Sequence, residues 1–230
     1  MIKIAPKAFF FDFDGVICDT EKLHCLAIKK AIEPDNIPLS EKYFFEHLFG
    51  IDDAKAIKKL FTIYNKELTA EHLQNILINK HKYFLTFVKE QSIFCKGIHD
   101  LFLNLSEKSI PMCIVSCSRV IDIEECLNIG DLKDFFQFVI GNESVTHCKP
   151  DPEGYLKAFH QMKSNFPSIN IEDCWALEDS PSGIKSAKGA GLNTIGITNS
   201  TEAKNLKHAD HVISHYTDIA LCLTPHLCYI

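Results

Sequence analysis

The stretch FFFDFDGV, residues 9–16, is a phenylalanine-rich run that leads into two carboxylates and a glycine. An apolar run of this length without polar alternation is typical of a strand buried on both faces of a parallel sheet. We therefore predict a buried strand over residues 8–13, with Asp12 and Asp14 at its carboxyl end. Residues two apart in a strand point to the same side, so both carboxylates are expected to serve one site.

Similar apolar runs recur along the chain and alternate with segments of helical spacing. We predict further strands at 110–115, 137–141, 174–177 and 193–197, with a weaker one at 211–213. We predict the intervening helices at 97–108, 119–128, 152–163 and 180–190, the last with Ser180 as N-cap and Pro181 in its first turn. This alternation predicts an α/β fold, a Rossmann-like parallel sheet with helices on both faces.

Residues 19–95 contain no convincing strand. Helical patterns lie at 21–33, 40–48, 52–63 and 69–90, with breaks marked by Pro34, Pro38 and Gly50. An all-helical block inside an alternating chain is most simply an inserted domain. We therefore predict a helical cap at 19–95, inserted into a discontinuous α/β core made of residues 1–18 and 96–230.

The composition is that of an ordinary globular protein. The chain has 230 residues, 46% of them hydrophobic, and a formal net charge of -6. Lysines are scattered rather than clustered, which argues against nucleic acid as a partner. No apolar run reaches membrane-spanning length, and the N-terminal run is broken by acidic residues where a signal peptide would be cleaved. We expect a soluble, cytoplasmic protein, with no membrane association and no obligate protein partner evident.

The chain has ten cysteines but no CxxC pair: Cys18, Cys25, Cys95, Cys113, Cys117, Cys126, Cys148, Cys174, Cys222 and Cys228. In a chain of this length, without a visible signal peptide, we expect reduced and mostly buried thiols rather than disulfides or a zinc site. Cys117 and Cys148 flank the predicted site, which leaves a redox switch open as an alternative.

Polar side chains follow several predicted strands and should meet at one edge of the sheet. Besides the two aspartates, these residues are Ser116, Lys149, Glu178 and Asp179. Open parallel sheets bind ligands at the carboxyl ends of their strands. Hard oxygen ligands favour Mg²⁺, and a lysine with a hydroxyl group suits a phosphoryl group.

This set of groups suggests phosphoryl transfer. One of Asp12 and Asp14 would be the nucleophile and the other the general acid and base. Lys149 and the cation would balance the charge of the transferred group, and Ser116 would donate a hydrogen bond to it.

Four segments of the chain resemble the motifs of the haloacid dehalogenase superfamily of phosphohydrolases. They are DFDGVICDTEKLH at 12–24, IVSCS at 114–118, HCKPDPEGY at 147–155 and ALEDSPSGI at 176–184. The four motifs occur in the expected order. The position of the helical block resembles the branch that includes phosphoglycolate-phosphatase-like and β-phosphoglucomutase-like enzymes.

The resemblance implies a role for each motif residue. Asp12 would become an aspartyl-phosphate and Asp14 would act as the acid and base. Mg²⁺ would be bound by Asp12, the backbone carbonyl of Asp14 and Asp179, with Glu178 either a direct ligand or one layer further out. The remaining candidates would bind the phosphoryl group or the rest of the substrate: Ser116, Lys149, Thr20, His24, Cys117 and Arg119.

Structural roles are the alternatives for these candidates. Ser116 could cap the helix that begins near Arg119, and Arg119 itself could be a solvated side chain. Thr20 and His24 lie four apart on the first cap helix, where an ordinary helix-surface role is equally compatible with the spacing.

We expect the chain to hydrolyse a small phosphomonoester such as a sugar phosphate, phosphoglycolate or a nucleotide. A β-phosphoglucomutase-like mutase is the first alternative, but it needs a cationic cap group, typically an arginine after the cap glycine. The sequence FGIDDAKAIKK at 49–59 has Asp52 and Asp53 there instead. A non-catalytic binding protein of the same fold is the second alternative. Asp14 and the predicted cation site argue against dehalogenation.

Overall fold

The computed structural model describes residues 1–48, 51–90 and 93–221. They form two compact units, one of Met1–Cys18 with the chain from Phe94 onward, and one of Asp19–Ile93. The predicted break at Gly50 and the thiols of Cys222 and Cys228 lie outside the described residues.

The first unit is built on a six-stranded sheet in which every pair of neighbours is parallel. Its strands are β2 (Ala8–Phe11), β3 (Met112–Val115), β4 (Phe136–Ile140), β5 (Cys174–Glu178), β6 (Asn193–Ile197) and β7 (His211–Ile213). The predicted α/β fold is confirmed, including the weak edge strand at 211–213.

The strand order is β4-β3-β2-β5-β6-β7, so the direction of winding reverses at β2. The chain adds β3 and β4 on one side of β2 and then returns to add β5 on the other side. Such a reversal opens a crevice at the carboxyl ends of the strands. The sequence directly after β2 therefore lies where an open α/β sheet binds its ligand.

The central strand is held by aromatic packing. All four residues of β2 are buried. The rings of Phe9 and Phe11 stack with centroids 4.9 Å apart, and Phe11 packs edge-on against Phe102 at 5.2 Å. Each aromatic pair of this kind contributes about 0.5–1.5 kcal/mol to stability, in addition to the free energy gained by burying its apolar surface. They fix the strand that carries Asp12.

Four helices flank this sheet: α5 (Ile98–Glu107), α6 (Val120–Ile129), α7 (Glu153–Asn165) and α8 (Pro181–Gly189). Helix α8 begins as predicted. The Ser180 hydroxyl accepts a hydrogen bond from the Gly183 backbone N–H at 3.0 Å, and Pro181 occupies the first turn.

Two short strands were not predicted. Strand β1 (Ile2–Ile4) and strand β8 (Ile219–Leu221) pair in parallel as a separate two-stranded sheet. Each has only three residues, and each finds its partner at the opposite end of the described chain. Periodicity within so short a segment carries too little signal to identify such a pair.

The second unit is all-helical over its described residues. Its helices are α1 (Glu21–Ala31), α2 (Glu41–His47), α3 (Asp53–Ile63) and α4 (Ala70–Glu90). Their apolar faces enclose a core that includes Ile28, Phe44, Ile57 and Phe61. This is the predicted helical cap. No helix in the described parts of the chain is both long enough and apolar enough to cross a membrane.

The chain leaves and re-enters the sheet unit at adjacent positions. Cys18 forms an isolated antiparallel bridge with Phe94, and the Cys95 N–H donates to the Ile17 carbonyl at 2.9 Å. In the cap, the Asp19 N–H donates to the Ile93 carbonyl at 2.8 Å. Each unit therefore ties the two chain segments together with its own backbone hydrogen bonds.

Candidate active site

Asp12 lies one residue beyond β2 and is buried. Its Oδ1 accepts a hydrogen bond from the Phe13 backbone N–H and forms an ion pair with the Lys149 ammonium, both at 2.7 Å. Glu178 is the last residue of β5, the strand next to β2, and is fully buried. Its Oε1 lies 2.7 Å from the same Lys149 nitrogen. Lys149 therefore bridges the carboxylates at the ends of two neighbouring strands.

Asp14 is held by two serines from the loop after β3. Its Oδ2 accepts hydrogen bonds from the hydroxyls of Ser118 and, at 3.4 Å, Ser116. The Ser116 hydroxyl accepts the Ser118 N–H at 2.9 Å, while the N-cap position of α6 belongs to Arg119. Ser116 therefore does not cap the helix and lies against Asp14.

Asp179 completes a group of three buried carboxylates. One oxygen from each of Asp12, Glu178 and Asp179 lies within 4.8 Å of the other two. Gly15 has a φ of 76°, and a Cβ atom there would overlap the side chains of Asp179 and Ser200. A glycine is therefore required at this position both by its backbone conformation and by the close approach of Asp179.

The donor set of this group fits a divalent cation. Three carboxylates face one another with little access to water, and Lys149 supplies one compensating charge. Carboxylate oxygens are the ligands that hard divalent cations prefer. The side chain of Asp14 is not in the group.

The carboxylates repel one another in the absence of a cation. Burial, and then the charge of Glu178, raise the pKa of Asp12 to about 8. Burial and the charge of Asp12 raise the pKa of Asp179 to about 7. Burial alone would lower the pKa of Lys149, but the charges of Asp12 and Glu178 outweigh it and raise the pKa. Burial and charge repulsion together thus favour proton or cation uptake by the carboxylates.

We expect the metal-free protein to lose stability as the pH rises from about 4 to 8. The folded-state pKa values of Asp12, about 8, and Asp179, about 7, lie above the ordinary value of 3.8. The folded chain therefore keeps protons that the unfolded chain has released, and this contribution disappears as the pH passes the folded-state values. This loss is measured as the difference in the free energy of unfolding between pH 5.5 and pH 8.5, from urea unfolding in the presence of a chelator.

Saturating Mg²⁺ should reduce the difference in the free energy of unfolding between the two pH values, because a bound cation replaces the protons. Asp12→Asn should reduce it without any metal. Equal free energies of unfolding at both pH values, in the chelated natural chain, would contradict the raised pKa values.

A buried tyrosine, Tyr155, contacts both Glu178 and Lys149. The Tyr155 hydroxyl donates to Glu178 Oε1 at 2.6 Å, and the Lys149 nitrogen lies 5.4 Å from the centre of the Tyr155 ring. Tyr155 is fully buried. Tyr155 is the last residue of the segment HCKPDPEGY, which also contains Lys149, but its contact with Glu178 was not predicted from the sequence.

Three further polar residues near the site were not predicted. Ser118 binds Asp14, and the Ser200 side chain hydrogen-bonds to Asp179. Asn199 Nδ2 donates to the Gly15 carbonyl and to the Tyr216 hydroxyl, both at 2.8 Å. Asn199 and Ser200 come two and three residues after the end of β6. They could therefore have been predicted in the same way as the other site residues, from their position at the carboxyl end of a parallel strand.

The remaining candidates next to the motifs are placed as follows. Cys117 is half-buried, and burial raises the pKa of its thiol to about 12. Cys148 is exposed. Arg119 Nε lies 3.9 Å from Glu143 Oε1, and both side chains are well exposed. Of the eight cysteines within the described residues, five are buried, in line with the prediction of mostly buried thiols.

Two candidates lie in the cap. Thr20 is buried at the N-cap position of α1 without capping the helix through its side chain. The His24 ring stacks on Phe84 with centroids 4.3 Å apart, and its Nδ1 lies 2.7 Å from the Lys80 nitrogen. Their part in substrate binding stays a prediction.

Comparison with known proteins gives consistent matches over nearly the whole chain. The family model described as haloacid dehalogenase-like hydrolase matches residues 9–197. A β-phosphoglucomutase of Bacillus subtilis (strain 168) is 26% identical over 219 residues, which cover 94% of this chain and 92% of that protein. A phosphorylated carbohydrates phosphatase of Thermotoga maritima is 26% identical over 190 residues, 82% and 83% of the two chains.

The fold comparison agrees with the sequence matches. The crystal structure of a HAD hydrolase, family IA, variant 3, from Entamoeba histolytica HM-1:IMSS superposes with a TM-score of 0.76 at 28% identity. The match covers 93% of this chain and 95% of that one, so it includes both the sheet unit and the helical cap.

Proposed function

Because the chain belongs to the haloacid dehalogenase-like hydrolase family, we propose that it is a magnesium-dependent phosphatase acting on a small phosphomonoester. The observation that carries the proposal is the arrangement around Asp12. A buried carboxylate at the switch point of the sheet is paired with Lys149 at 2.7 Å and joined by two further carboxylates.

Asp12 is the proposed nucleophile. A carboxylate oxygen of Asp12 attacks phosphorus, the bond from phosphorus to the ester oxygen breaks, and an aspartyl-phosphate forms. Asp14 donates a proton to the departing ester oxygen, which leaves as an alcohol. Asp14 then takes a proton from water, whose oxygen attacks the aspartyl-phosphate, releasing phosphate and restoring Asp12.

Lys149 and Ser116 hold the transferred group. Lys149 is fixed between Asp12 and Glu178, so its charge is available beside the nucleophile without further reorganisation. Ser116 adds a hydroxyl donor at the end of β3. Mg²⁺ would be held by Asp12, the Asp14 carbonyl and Asp179, with Glu178 as a direct or outer ligand, and would supply positive charge for the phosphoryl group.

The substrate proposed is a small phosphorylated metabolite, with a sugar phosphate as the first candidate. The relatives reported above include a phosphatase of phosphorylated carbohydrates and a mutase of a phosphorylated sugar. We place the cap at residues 19–95 and assign it the choice of leaving group and the exclusion of water during the first transfer. A cytoplasmic location is part of the same proposal.

A phosphosugar mutase is the second candidate, because the B. subtilis β-phosphoglucomutase matches over 94% of this chain. A mutase must bind a second phosphate, which calls for a cation in the cap. Here Asp52 and Asp53 stand in the region where the resemblance calls for arginine. Hydrolysis is therefore the preferred reaction.

The proposal predicts release of inorganic phosphate that depends on a divalent cation. We expect turnover of p-nitrophenyl phosphate with Mg²⁺, loss of turnover in a chelator, and recovery when Mg²⁺ is restored. A panel of sugar phosphates, phosphoglycolate and nucleoside monophosphates identifies the preferred leaving group. Isomerised hexose phosphate in place of free phosphate would favour the mutase. No turnover of any panel member with Mg²⁺ would refute the proposal.

A further inference from the structure

Two cysteines stand directly beside groups of the proposed active site. Cys117 follows Ser116 in the loop after β3, and Cys148 precedes Lys149 in the chain between β4 and α7. Strands β3 and β4 are parallel neighbours, so both segments leave the sheet at its carboxyl edge. Neither thiol is used in a step of the proposed phosphoryl transfer, so the position of the pair calls for another explanation.

The side chains of the two cysteines are in contact. The Cys117 thiol forms hydrogen bonds with the Cys148 side chain and with the Lys149 backbone. Both cysteines also line one small cleft together with Ser116 and Lys149. The free volume of that cleft is about 10 Å³, which is no more than a single water molecule needs. The two segments therefore pack closely at the sulfur atoms.

The pair combines one accessible thiol with one sheltered thiol. Cys148 is exposed, and it is the one exposed cysteine among the eight in the described residues. Cys117 is half-buried, and burial raises the pKa of its thiol to about 12, so it is protonated at neutral pH. A small oxidant in solution therefore reaches Cys148 first and leaves Cys117 beside the oxidised sulfur.

We propose that Cys117 and Cys148 are a dithiol that hydrogen peroxide converts to a disulfide, and that this modification reversibly inactivates the site beside it. This inference rests on the proposed phosphatase function for its consequence, whereas formation of the disulfide does not depend on that function. Disulfides in reducing compartments are typically transient and regulatory, which fits a reversible modification.

The oxidation has two steps. The Cys148 sulfur, as its thiolate, attacks one oxygen of hydrogen peroxide, the O–O bond breaks, and the departing hydroxide takes up the proton that the thiol released. The Cys117 sulfur then attacks the sulfenic acid on Cys148, the S–O bond breaks, and the departing hydroxide takes the Cys117 proton. In total, two thiols and one hydrogen peroxide give one disulfide and two water molecules.

The disulfide acts on the site through the adjoining backbone. Bond formation draws the two sulfur atoms about 1 Å or more closer than a hydrogen-bonded contact. Each cysteine is the chain neighbour of a proposed phosphoryl-binding residue, Ser116 or Lys149. The movement therefore reaches the Lys149 ammonium, which pairs with Asp12 at 2.7 Å. Displacing a reacting group by about 1 Å lowers a rate by on the order of 10²-fold.

The chain on the other side of Cys148 is fixed to helix α7. The backbone N–H groups of Thr146 and His147 donate to the Glu153 carboxylate at 3.0 and 2.9 Å, respectively. Glu153 is the first residue of α7. Because these bonds hold the segment before Cys148 in place, a displacement of its sulfur is taken up on the Lys149 side.

The first experiment maps the bond. The reduced chain is treated with hydrogen peroxide at neutral pH, remaining thiols are alkylated, and the peptides are analysed by mass spectrometry without reduction. We expect one linked pair of peptides that joins Cys117 to Cys148, and we expect it to disappear after dithiothreitol. Sulfinic or sulfonic acid on Cys148, without a linked pair, would overturn the proposal.

The second experiment measures the consequence with p-nitrophenyl phosphate and saturating Mg²⁺. Oxidation should lower kcat/KM of the natural chain by about 10²-fold, and dithiothreitol should restore it. For Cys148→Ser and Cys117→Ser, the rate after peroxide is divided by the same variant's rate before peroxide, so that any contribution of Cys117 to substrate binding cancels. Both ratios should stay within about twofold of unity. An equal loss in Cys117→Ser would assign the effect to oxidation of Cys148 alone and contradict the proposal.

Cys95→Ser is the matched control. Cys95 is half-buried like Cys117 and belongs to the same unit. Its replacement leaves both sulfur atoms of the proposed disulfide in place, so peroxide should inactivate this variant as it does the natural chain. Cys222→Ser/Cys228→Ser, which removes the two thiols outside the described residues, should behave in the same way. Protection by either control would place the effect at another thiol and refute the proposal.

Calorimetric titration of inorganic phosphate in the presence of Mg²⁺ reads the site without turnover. The oxidised chain should bind phosphate about tenfold more weakly than the reduced chain, because a charge-assisted hydrogen bond from Lys149 is lost. If the reduced chain turns over no substrate, the phosphatase proposal fails, while the linked peptides and this titration still test the disulfide. A linked pair that changes neither the rate nor the phosphate affinity would show that the disulfide is no switch.

Discussion

Asp12→Asn is expected to abolish magnesium-dependent phosphatase activity, with kcat lower by on the order of 10⁴-fold or more. The amide has the shape of the carboxylate but cannot supply the attacking charged oxygen. The variant should fold, because the amide oxygen can still accept the Phe13 N–H that Asp12 Oδ1 accepts at 2.7 Å. Initial rates on the preferred sugar phosphate, with Mg²⁺ saturating, measure the effect.

The matched control is Asp134→Asn. Asp134 is exposed in a short turn before β4, and it lies outside the carboxylate group. Its removal changes the net charge by the same amount and should leave kcat within about twofold.

Mass spectrometry of the acid-quenched natural enzyme should detect phosphate on Asp12. Full turnover by Asp12→Asn would rule out the covalent mechanism.

Lys149→Met is expected to lower kcat/KM by about 10²–10³-fold and to destabilise the metal-free chain by about 3–5 kcal/mol. The ammonium lies 2.7 Å from both Asp12 and Glu178, and only 9% of the lysine side chain is exposed. Its loss leaves two buried carboxylates without their shared partner. Urea unfolding at about pH 9, above the pKa of about 8 that Asp12 has in the natural chain, measures the second effect.

Lys133→Met is the control for removing a lysine from an ion pair. Lys133 lies 3.3 Å from Glu124, and both side chains are well exposed. Exposed pairs contribute about 0–1 kcal/mol, so this change should leave both stability and kcat/KM nearly unaffected. If the two variants were equally stable in the absence of metal, Lys149 would not be balancing the charges of the two carboxylates.

Most residues of the site could be predicted from the sequence because they stand at the end of a strand or just after it. Asp12 and Glu178 come at the end of apolar runs, and parallel strands bring such ends to one edge of the sheet. Lys149 is not at a strand end, and its identification relied on the resemblance of HCKPDPEGY to a known motif. The sheet order, which makes β2 and β5 neighbours, could not be obtained from periodicity.

The supporting residues could not be predicted for a physical reason. Tyr155 and Lys80 both lie on amphipathic helices, where a tyrosine or lysine is compatible with an ordinary solvated or packing role. What makes them notable is a partner from a distant part of the chain, Glu178 for Tyr155 and Asp53 for Lys80. Helical periodicity specifies which side of the helix a residue occupies but not which polar atom it meets there.

The adjacent hydrogen bonds at the two crossings between the sheet unit and the cap have an evolutionary consequence. Cys18 is bridged to Phe94, so the sheet unit brings together the two ends of the inserted segment with its own backbone. An insertion anchored in this way adds little loop-closure entropy to the folding of its host. Recombination at this junction can exchange one cap for another while the carboxylates of the proposed active site are inherited unchanged. New leaving-group preferences can then arise by cassette replacement, without selection having to rebuild the phosphoryl-transfer chemistry.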